Sequence, residues 1–348
     1  MSEKVLIGMS GGVDSAAAAL LLKRAGYDVT GVTFRLWTGE GSDAEESVRD
    51  AASICERLEI PHRVLDLEAC FHKEVIGRFI ASYEGGETPN PCVICNRYIK
   101  FSNLLEFADE LGVKYVATGH YARVEVAADG KYRLKKALDE SKDQSYFLYS
   151  LSEETLSRVL FPLGGYTKSE IRAIAEENGF VNARKRDSQD ICFVRDGDYA
   201  SFIEGYTGKS FAEGDFIDAD GNRLGKHKGM IRYTVGQRKG LGIALGRPMF
   251  VCAKSAVDNT VTLGDNEELF SSSLTAREAC FVVALAADKP HAVLAKVRNT
   301  QKEVPATLTL LGGGRFRVDF EAPQRAISRG QSVVLYREDT VLGGGIIE

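Results

Sequence analysis

Short apolar runs alternate with amphipathic segments along the first third of the chain. Residues 4–9 (KVLIGM) are apolar and lead into a Gly-rich turn, which predicts a short buried strand. Apolar residues between 101 and 111 recur every three or four positions, which predicts a helix. Read this way, the sequence predicts strands at residues 4–9, 29–34, 64–67 and 115–118, and helices at residues 16–23, 42–58 and 101–111. This alternation favours a parallel sheet with helices on both faces.

Local signals mark several boundaries. Ser42 and Glu45 fit a capping box for the second helix, and Thr167 and Glu170 fit another for a helix ending at Asn178-Gly179. Asp129-Gly130 predicts a hairpin. Beyond residue 205, turn residues multiply, and 279–348 contains alternating runs such as AVLAKV, RFRVDF and SVVLY. We predict an α/β domain over residues 1–205, a small basic β-rich domain over 206–270 and a C-terminal antiparallel β-barrel over 271–348.

Composition narrows the class of protein. The chain has 348 residues, of which 44% are hydrophobic and 27% charged, as expected of a globular protein with two or three domains. Its N-terminus does not resemble a signal peptide, and no apolar run reaches the ~18 residues of a membrane helix. Seven cysteines without regular spacing argue against a secreted disulfide framework. We expect a cytoplasmic, reduced, monomeric protein without a membrane partner.

Charge is unevenly distributed. The net charge is −5, but residues 222–247 carry seven bases and no acid. These bases are Arg223, Lys226, Lys228, Arg232, Arg238, Lys239 and Arg247. The run is compatible with an anionic partner such as a nucleic acid, and the alternative is a solvated basic hairpin.

A Gly-rich segment lies between the first strand and the first helix, where α/β sheets bind ligands. Glycines allow the backbone to approach an anion, and the helix N-terminus favours phosphate. Hydroxyls add donors, and Asp14 is a candidate Mg²⁺ ligand. The segment is Gly8, Met9, Ser10, Gly11, Gly12, Val13, Asp14 and Ser15. It lacks the Lys-Ser/Thr ending of a Walker A loop. SGGVDS resembles the PP-loop of ATP pyrophosphatases, which implies an adenine-nucleotide-hydrolase-like fold and cleavage of ATP between its α and β phosphates.

Three of the seven cysteines lie in sequence motifs that make them candidate functional residues. Cys92 and Cys95 lie in TPNPCVICN, where Pro89 and Pro91 favour an extended backbone and place Cys95 near a helix start that would lower its thiol pKa. Cys192 lies in RDSQDICF. Two interpretations of these cysteines remain open: a zinc site with His120 as a further ligand, and a thioredoxin-type redox pair. The remaining cysteines, Cys55, Cys70, Cys252 and Cys280, are expected to be structural.

Several motifs together resemble the tRNA-specific 2-thiouridylase family, the bacterial MnmA/TrmU group. They are TPNPCVICN, ATGHYAR (117–123), KDQSYFL (142–148), the Cys192 segment and YTVGQRKGLGI (233–243). The resemblance implies that ATP adenylates O2 of the wobble uridine in tRNAs for Lys, Glu and Gln. It also implies that Cys192 carries a persulfide received from a cysteine desulfurase or sulfur-relay protein. Cys95 would release the sulfur, leaving a Cys95–Cys192 disulfide. Residues 182–195 are then expected to order over the site when tRNA binds.

The same resemblance implies further contacts. Phe34 and Gly119 would contact the nucleotide, and Asn90, Pro91 and Cys92 the target base. The implied tRNA contacts are His120, Lys142, Asp143, Gln144, Asn299, Thr300 and Gln331. A buried core histidine is the alternative for His120.

One position departs from the family pattern. Many relatives have Asp, a proposed general acid/base, where this chain has Cys92. A thiolate could take that role. Alternatively, Cys92, Cys95 and Cys192 could ligate a [4Fe–4S] cluster.

Two other functional classes remain open from the residues alone. A small-molecule ATP pyrophosphatase would explain SGGVDS but leave the cysteine pair without a role, and it predicts pyrophosphate release without tRNA. A non-catalytic RNA-binding protein with a structural metal would explain the basic run and predicts no ATP turnover.

Overall fold

The computed structural model describes residues 2–39, 44–180, 191–194, 197–286 and 289–348. The chain divides into two compact units, each assembled from separate stretches. The first comprises Met1–Ile76, Cys92–Gln189 and Glu338–Leu342, and the second comprises Gly77–Pro91, Asp190–Arg337 and Gly343–Glu348. Among the residues described, no helix is both long enough and apolar enough to cross a membrane.

A five-stranded parallel sheet forms the centre of the first unit, in the order β3-β2-β1-β4-β7. Its strands are β1 (Lys4–Gly8), β2 (Asp28–Arg35), β3 (His62–Asp66), β4 (Tyr115–Ala117) and β7 (Val159–Leu160). The apolar run that predicts β1 lies in the core, where Val5, Leu6 and Ile7 are buried. The predicted parallel sheet is confirmed, with each of the four predicted strands shifted by no more than two residues at either end.

Helices join these strands. They are α1 (Val13–Arg24), α2 (Ala44–Arg57), α3 (Glu68–Phe71), α5 (Pro91–Cys95), α6 (Ser102–Glu110), α7 (Glu153–Leu156) and α8 (Lys168–Glu177), with π-helical turns at His72–Ile76 and Asn96–Phe101. The capping box predicted for α8 is present, because the Thr167 side chain accepts from the Glu170 amide and Glu170 accepts from the Thr167 amide at 2.7 Å. The capping box predicted at Ser42 involves a residue outside the described ranges.

The hairpin predicted at Asp129-Gly130 is formed by β5 (Arg123–Val126) and β6 (Tyr132–Lys135). Its second strand pairs Lys135 with Thr340. The hairpin therefore extends an antiparallel sheet rather than the parallel one.

The second unit holds a small mixed sheet and a barrel. The small sheet has the order β10-β11-β8-β9 and a core containing Phe216, Val251 and Val261. Its strands are β8 (Gly214–Ile217), β9 (Arg223–His227), β10 (Phe250–Ser255) and β11 (Thr260–Gly264), and helices α4 (Gly77–Glu84) and α9 (Tyr199–Thr207) belong to the same unit. A 3₁₀ turn at Met230–Arg232 follows β9.

The predicted antiparallel barrel is confirmed. Its strands are β12 (Phe270–Phe281), β13 (His291–Lys296), β14 (Val304–Gly312), β15 (Arg315–Arg325), β16 (Ser332–Arg337) and β17 (Thr340–Ile347). They follow the order β12-β15-β14-β13-β16-β17, and pairing of β12 with β17 closes the ring. Closure leaves no free edge in the barrel, which is how such sheets avoid pairing with other chains.

Candidate functional site

The Gly-rich loop lies where the sequence predicts it, between β1 and α1. The Ser10 amide donates to Ser15 Oγ at 3.2 Å, and Ser15 Oγ donates to the carbonyl of Gly12 at 3.0 Å. Gly12 is the N-cap of α1, and no described side chain caps this helix end. The first-turn amides of α1 therefore provide the partial positive charge that favours a phosphate.

Two glycines have to be glycine for different reasons. Gly11 has a φ of +72°, and a Cβ there would lie 2.7 Å from Cβ of Asp50. Gly119 follows β4, and a Cβ there would lie 2.9 Å from the carbonyl carbon of Asp14 and the nitrogen of Ser15. Gly119 therefore packs against the backbone at the start of α1. Phe34 lies nearby, because its ring is 3.6 Å from the Cβ position of Gly8.

Gly119→Ala is expected to lower the free energy of unfolding by about 1–3 kcal/mol, because the new methyl group would meet backbone atoms that cannot rotate away. Urea unfolding measures the change. Gly165→Ala is the matched control, since nothing lies within 4 Å of its Cβ position, and it should change stability by less than about 0.5 kcal/mol. Equal effects of the two substitutions would contradict the close packing at Gly119.

Asp14 is held by a network that the sequence does not reveal. Lys168 Nζ donates to both carboxylate oxygens of Asp14, at 2.7 and 2.8 Å, and Tyr121 Oη donates to Oδ1 at 2.9 Å. Lys168 is 6% exposed. A Mg²⁺ ion at Asp14, as predicted from the sequence, would have to compete with this ammonium group. Lys168 is recognisable in the sequence only as the first residue after the Thr167 cap.

The predicted tRNA loop is connected to this network. The Tyr121 amide donates to Gln144 Oε1 at 2.9 Å, and the Gln144 amide donates to the Tyr121 carbonyl at 2.8 Å. Asp143 accepts from the Ala137 amide at 3.0 Å and from Ser145 Oγ at 2.7 Å. Asp143 and Gln144 therefore shape the loop 142–144 itself, in addition to any contact with RNA.

Cys92 and Cys95 lie on one continuous helical segment that begins at Pro91. Proline is well suited to the first helical position, and residues 87–90 before it are not helical. The first-turn position expected of Cys95 is therefore occupied by Cys92, whereas Cys95 lies further along the segment and is 7% exposed. Although Cys92 is exposed to solvent, the surrounding protein raises the pKa of its thiol, and nearby Lys100 only partly opposes this. The structure thus favours a protonated Cys92 rather than a ready thiolate base.

His120 follows Gly119, and its ring lies beside that of Phe101 in this helical segment. Its Nδ1 lies 2.8 Å from Thr118 Oγ1, and its ring lies 5.9 Å from that of Phe101. Burial, reinforced by Lys100, lowers the pKa of His120 well below its ordinary value. His120 is therefore a neutral imidazole at pH 7 and not a cation for phosphate.

Cys192 belongs to the second unit and is exposed. The next residue, Phe193, is 5% exposed, and its ring lies 5.2 Å from those of Phe79 and Phe202. An aromatic cluster thus anchors the chain next to an accessible thiol. Apart from residues 191–194, the segment 182–195 expected to order over the site lies outside the described residues.

The other predicted target-base and tRNA residues of the second unit lie in loops, except Pro91, which begins α5. Asn299 and Thr300 follow β13, and the Oδ1 atom of Asn299 is buried without a hydrogen bond to a described residue. Asn90 and Pro91 precede Cys92. Gln331 donates through Nε2 to the carbonyls of Thr88 and Pro89.

The basic run is partly neutralised by neighbouring carboxylates. Arg223 and Lys226 pair with Asp215, Arg232 with Glu204 and Arg247 with Asp265. Lys228, Arg238 and Lys239 are exposed, and none of them forms an ion pair with a described residue. The charge available to an anionic partner is therefore provided mainly by these three side chains, together with the positive charge that remains where Arg223 and Lys226 share Asp215.

All seven cysteines are thiols in the structure, so the implied Cys95–Cys192 disulfide is not formed here. Within the described ranges, no group of three or more His, Cys, Asp or Glu side chains could hold a metal ion.

Family models cover almost the whole chain. The tRNA methyl transferase HUP domain matches residues 3–196, the tRNA methyl transferase PRC-barrel domain residues 200–265, and the aminomethyltransferase β-barrel domain residues 271–347. The chain is 47% identical over 356 residues to the tRNA-specific 2-thiouridylase MnmA of Clostridioides difficile, covering 100% of this chain and 99% of that protein. The MnmA of Acetivibrio thermocellus is also 47% identical over 356 residues, with 99% of each chain covered.

A solved structure with weaker similarity is the U34-tRNA thiolase NcsA of Methanococcus maripaludis with its [4Fe-4S] cluster. It is 18% identical, with a TM-score of 0.37 over 59% of this chain and 64% of that chain. A likeness of this size supports no inference about a cluster in the present protein.

Proposed function

This chain belongs to the tRNA-specific 2-thiouridylase (MnmA) family, and we propose that it replaces O2 of the wobble uridine with sulfur in tRNAs for Lys, Glu and Gln. It is a tRNA sulfurtransferase. One observation carries the proposal. The chain is matched over its full length by such enzymes, and it has a Gly-rich loop at the start of α1, an exposed Cys192 and a helical Cys95.

ATP supplies the activation in this proposal. The Gly8–Ser15 loop and the N-terminus of α1 bind the phosphates, with Mg²⁺ entering as the ATP complex. The uridine O2 attacks the α-phosphorus, pyrophosphate leaves, and O2 becomes part of an AMP leaving group. Lys168, 2.7 Å from Asp14, supplies positive charge next to the loop, where negative charge moves onto the leaving pyrophosphate.

Sulfur transfer follows. A cysteine desulfurase or relay protein gives Cys192 a persulfide. Its deprotonated terminal sulfur attacks C2 of the adenylated uridine and AMP leaves with its electron pair. The Cys95 thiolate then attacks Sγ of Cys192, which releases 2-thiouridine and leaves a Cys95–Cys192 disulfide. A thiol reductant returns both cysteines to thiols with two electrons.

The wobble base has to leave its stack to reach these groups, as bases do in other enzymes that modify RNA. We propose that Asn90, Pro91 and Cys92 contact the extruded base. Cys92 takes part as a thiol, in keeping with its raised pKa. Phe34 and Gly119 contact the nucleotide, and the remaining tRNA contacts are His120, Lys142, Asp143, Gln144, Asn299 and Thr300.

The proposal is tested by incubating the purified protein with ATP, Mg²⁺, cysteine, a cysteine desulfurase and unmodified tRNA-Glu. Mass spectrometry of the digested tRNA should show 2-thiouridine only when ATP is present. Pyrophosphate release without tRNA, and no 2-thiouridine, would instead indicate a small-molecule synthetase. The same reaction with anaerobically reconstituted protein, followed in the visible range, reports whether an iron–sulfur cluster contributes.

The exposed bases of the basic run provide a test of the tRNA surface. Replacing Lys228, Arg238 and Lys239 together with Gln should weaken tRNA binding and reduce the slope of log K against log salt by up to about 2–3, because each lost phosphate contact removes about 0.7–0.9. Filter binding at several salt concentrations measures the slope. Arg247→Gln is the control, since Asp265 already neutralises Arg247 at 2.6 Å. A slope unchanged in the triple variant would place the phosphate contacts elsewhere.

A further inference from the structure

The segment that precedes Cys92 is tied to the barrel by one turn, Ser328–Gln331, here called the barrel turn. The Thr88 amide donates to the carbonyl of Arg329 at 2.8 Å. Gln331 Nε2 donates to the carbonyl of Thr88 at 2.8 Å and reaches that of Pro89 at 3.4 Å. The barrel turn thus engages both backbone polar groups of Thr88, directly before the residues proposed to contact the base.

Two further contacts hold the same segment. Arg277, on β12, donates a hydrogen bond from Nη2 to Glu87 Oε2 at 3.0 Å, and its Nη1 forms an ion pair with Glu87 Oε1 at 3.0 Å. Gly330 has a φ of +86°, and a Cβ there would lie 2.8 Å from Cβ of Glu87 and 3.0 Å from the nitrogen of Thr88. The segment 87–89 therefore lies directly against the backbone of the barrel turn.

The barrel turn is itself fixed to the last strand of the barrel. The Gly330 amide donates to the carbonyl of Ile347 at 2.9 Å, and the Ile347 amide donates to the carbonyl of Gln331 at 2.8 Å. Within the turn, the Gln331 amide donates to Ser328 at 3.2 Å. A short series of backbone hydrogen bonds therefore connects Thr88, through the barrel turn, to β17.

We infer that Gln331 is a positioning residue, which holds Thr88 and Pro89 so that Asn90 meets the target base in one geometry. This inference rests on the proposed function. It differs from a direct tRNA contact, because Nε2 of Gln331 lies within hydrogen-bond distance of two protein carbonyls. If Gln331 Nε2 bonded to RNA instead, it would lose its hydrogen bonds to Thr88 and Pro89, which hold the segment before Asn90.

Gln331→Met tests the inference, since it keeps the length of the side chain and removes both donors without adding charge. Single-turnover thiolation at saturating tRNA should slow by about 10- to 100-fold, the effect of a small misplacement of reacting groups, while the Kd for tRNA stays unchanged. Hydrogen–deuterium exchange of the peptide covering residues 85–91 should become faster without tRNA. Gln324→Met is the matched control, because Gln324 also donates to a barrel carbonyl, that of Ala322, at 2.7 Å.

Other results would overturn the inference. A weaker Kd with an unchanged saturating rate would make Gln331 a direct tRNA ligand, and wild-type values of both would deny it a role. If Gln331→Met does not fold, Arg277→Met releases the other attachment of the same segment and should give the same slower rate and faster exchange. A wild-type protein that forms no 2-thiouridine would refute the proposed function, whereas the exchange measurement would still test the attachment of Thr88.

Discussion

Cys192→Ala should abolish formation of 2-thiouridine, with a loss of more than about 10³-fold, while tRNA-dependent release of pyrophosphate continues in a single turnover. The reason is that Cys192 is proposed to supply the sulfur nucleophile, whereas adenylation uses the phosphate loop of the other unit. Exposure of the Cys192 thiol beside the anchored Phe193 suits a group that a donor protein must reach. Mass spectrometry of digested tRNA and a pyrophosphate assay measure the two steps separately.

Cys252→Ala is the matched control for this substitution. Cys252 is also in the second unit, but burial raises the pKa of its thiol to about 11, so it is protonated at neutral pH. Thiolation should be unchanged in this variant. Cys95→Ala should also lose product, but a persulfide or uridine adduct should accumulate on Cys192 and be visible in the intact-protein mass. Product formation by Cys192→Ala at the wild-type rate would exclude Cys192 as the sulfur carrier.

Lys168→Met should reduce the rate of ATP-dependent thiolation by about 10²- to 10³-fold, the loss typical when one preorganised electrostatic group is removed. Lys168 contacts both carboxylate oxygens of Asp14 and is almost fully buried, so its removal takes positive charge from the phosphate loop and leaves Asp14 with the Tyr121 hydroxyl. The measurement is the rate of pyrophosphate release with saturating tRNA, together with the ATP concentration that gives half the maximal rate.

The control for this prediction is Lys73→Met, which removes a lysine whose side chain is 82% exposed. It should leave the rate of pyrophosphate release unchanged. A double-mutant cycle with Asp14→Asn isolates the pair, and coupling of about 0.5–3 kcal/mol in the free energy of unfolding is expected for groups in direct contact. Additive effects on both stability and rate would show that Lys168 and Asp14 are not coupled, whereas coupling in stability with additive effects on rate would limit the ion pair to a structural role.

Local patterns could be read from the sequence wherever the signal lies within a few residues. The capping box of Thr167 and Glu170, the hairpin at Asp129-Gly130 and the apolar run of β1 are such signals, and each leads to the observed element. The position of Cys95 was harder to predict, because the start of its helix depends on whether Pro91 ends an extended segment or begins a helix, and proline suits both.

The contacts that the candidate site residues make could not be predicted from their neighbours in the sequence. Lys168 is 154 residues from Asp14, Tyr121 is 107 from Asp14, and Gln331 is 243 from Thr88. Nothing in the spacing of such distant residues indicates that their side chains will meet, because this depends on how strands and helices pack. The pairing of Arg247 with Asp265 was missed for a related reason, since charge counting along the chain does not show which bases have a carboxylate nearby.

The sequence by itself therefore determined the class of fold and the position of the Gly-rich loop before α1, and it singled out the candidate cysteines, because these depend on short motifs and on periodic burial. Tertiary structure alone decided which of these groups are charged, paired or accessible. Burial keeps His120 neutral, and the packing of α8 brings Lys168 to Asp14. Desolvation and ion pairing are properties of the surroundings of a side chain, and those surroundings exist only once the chain has folded.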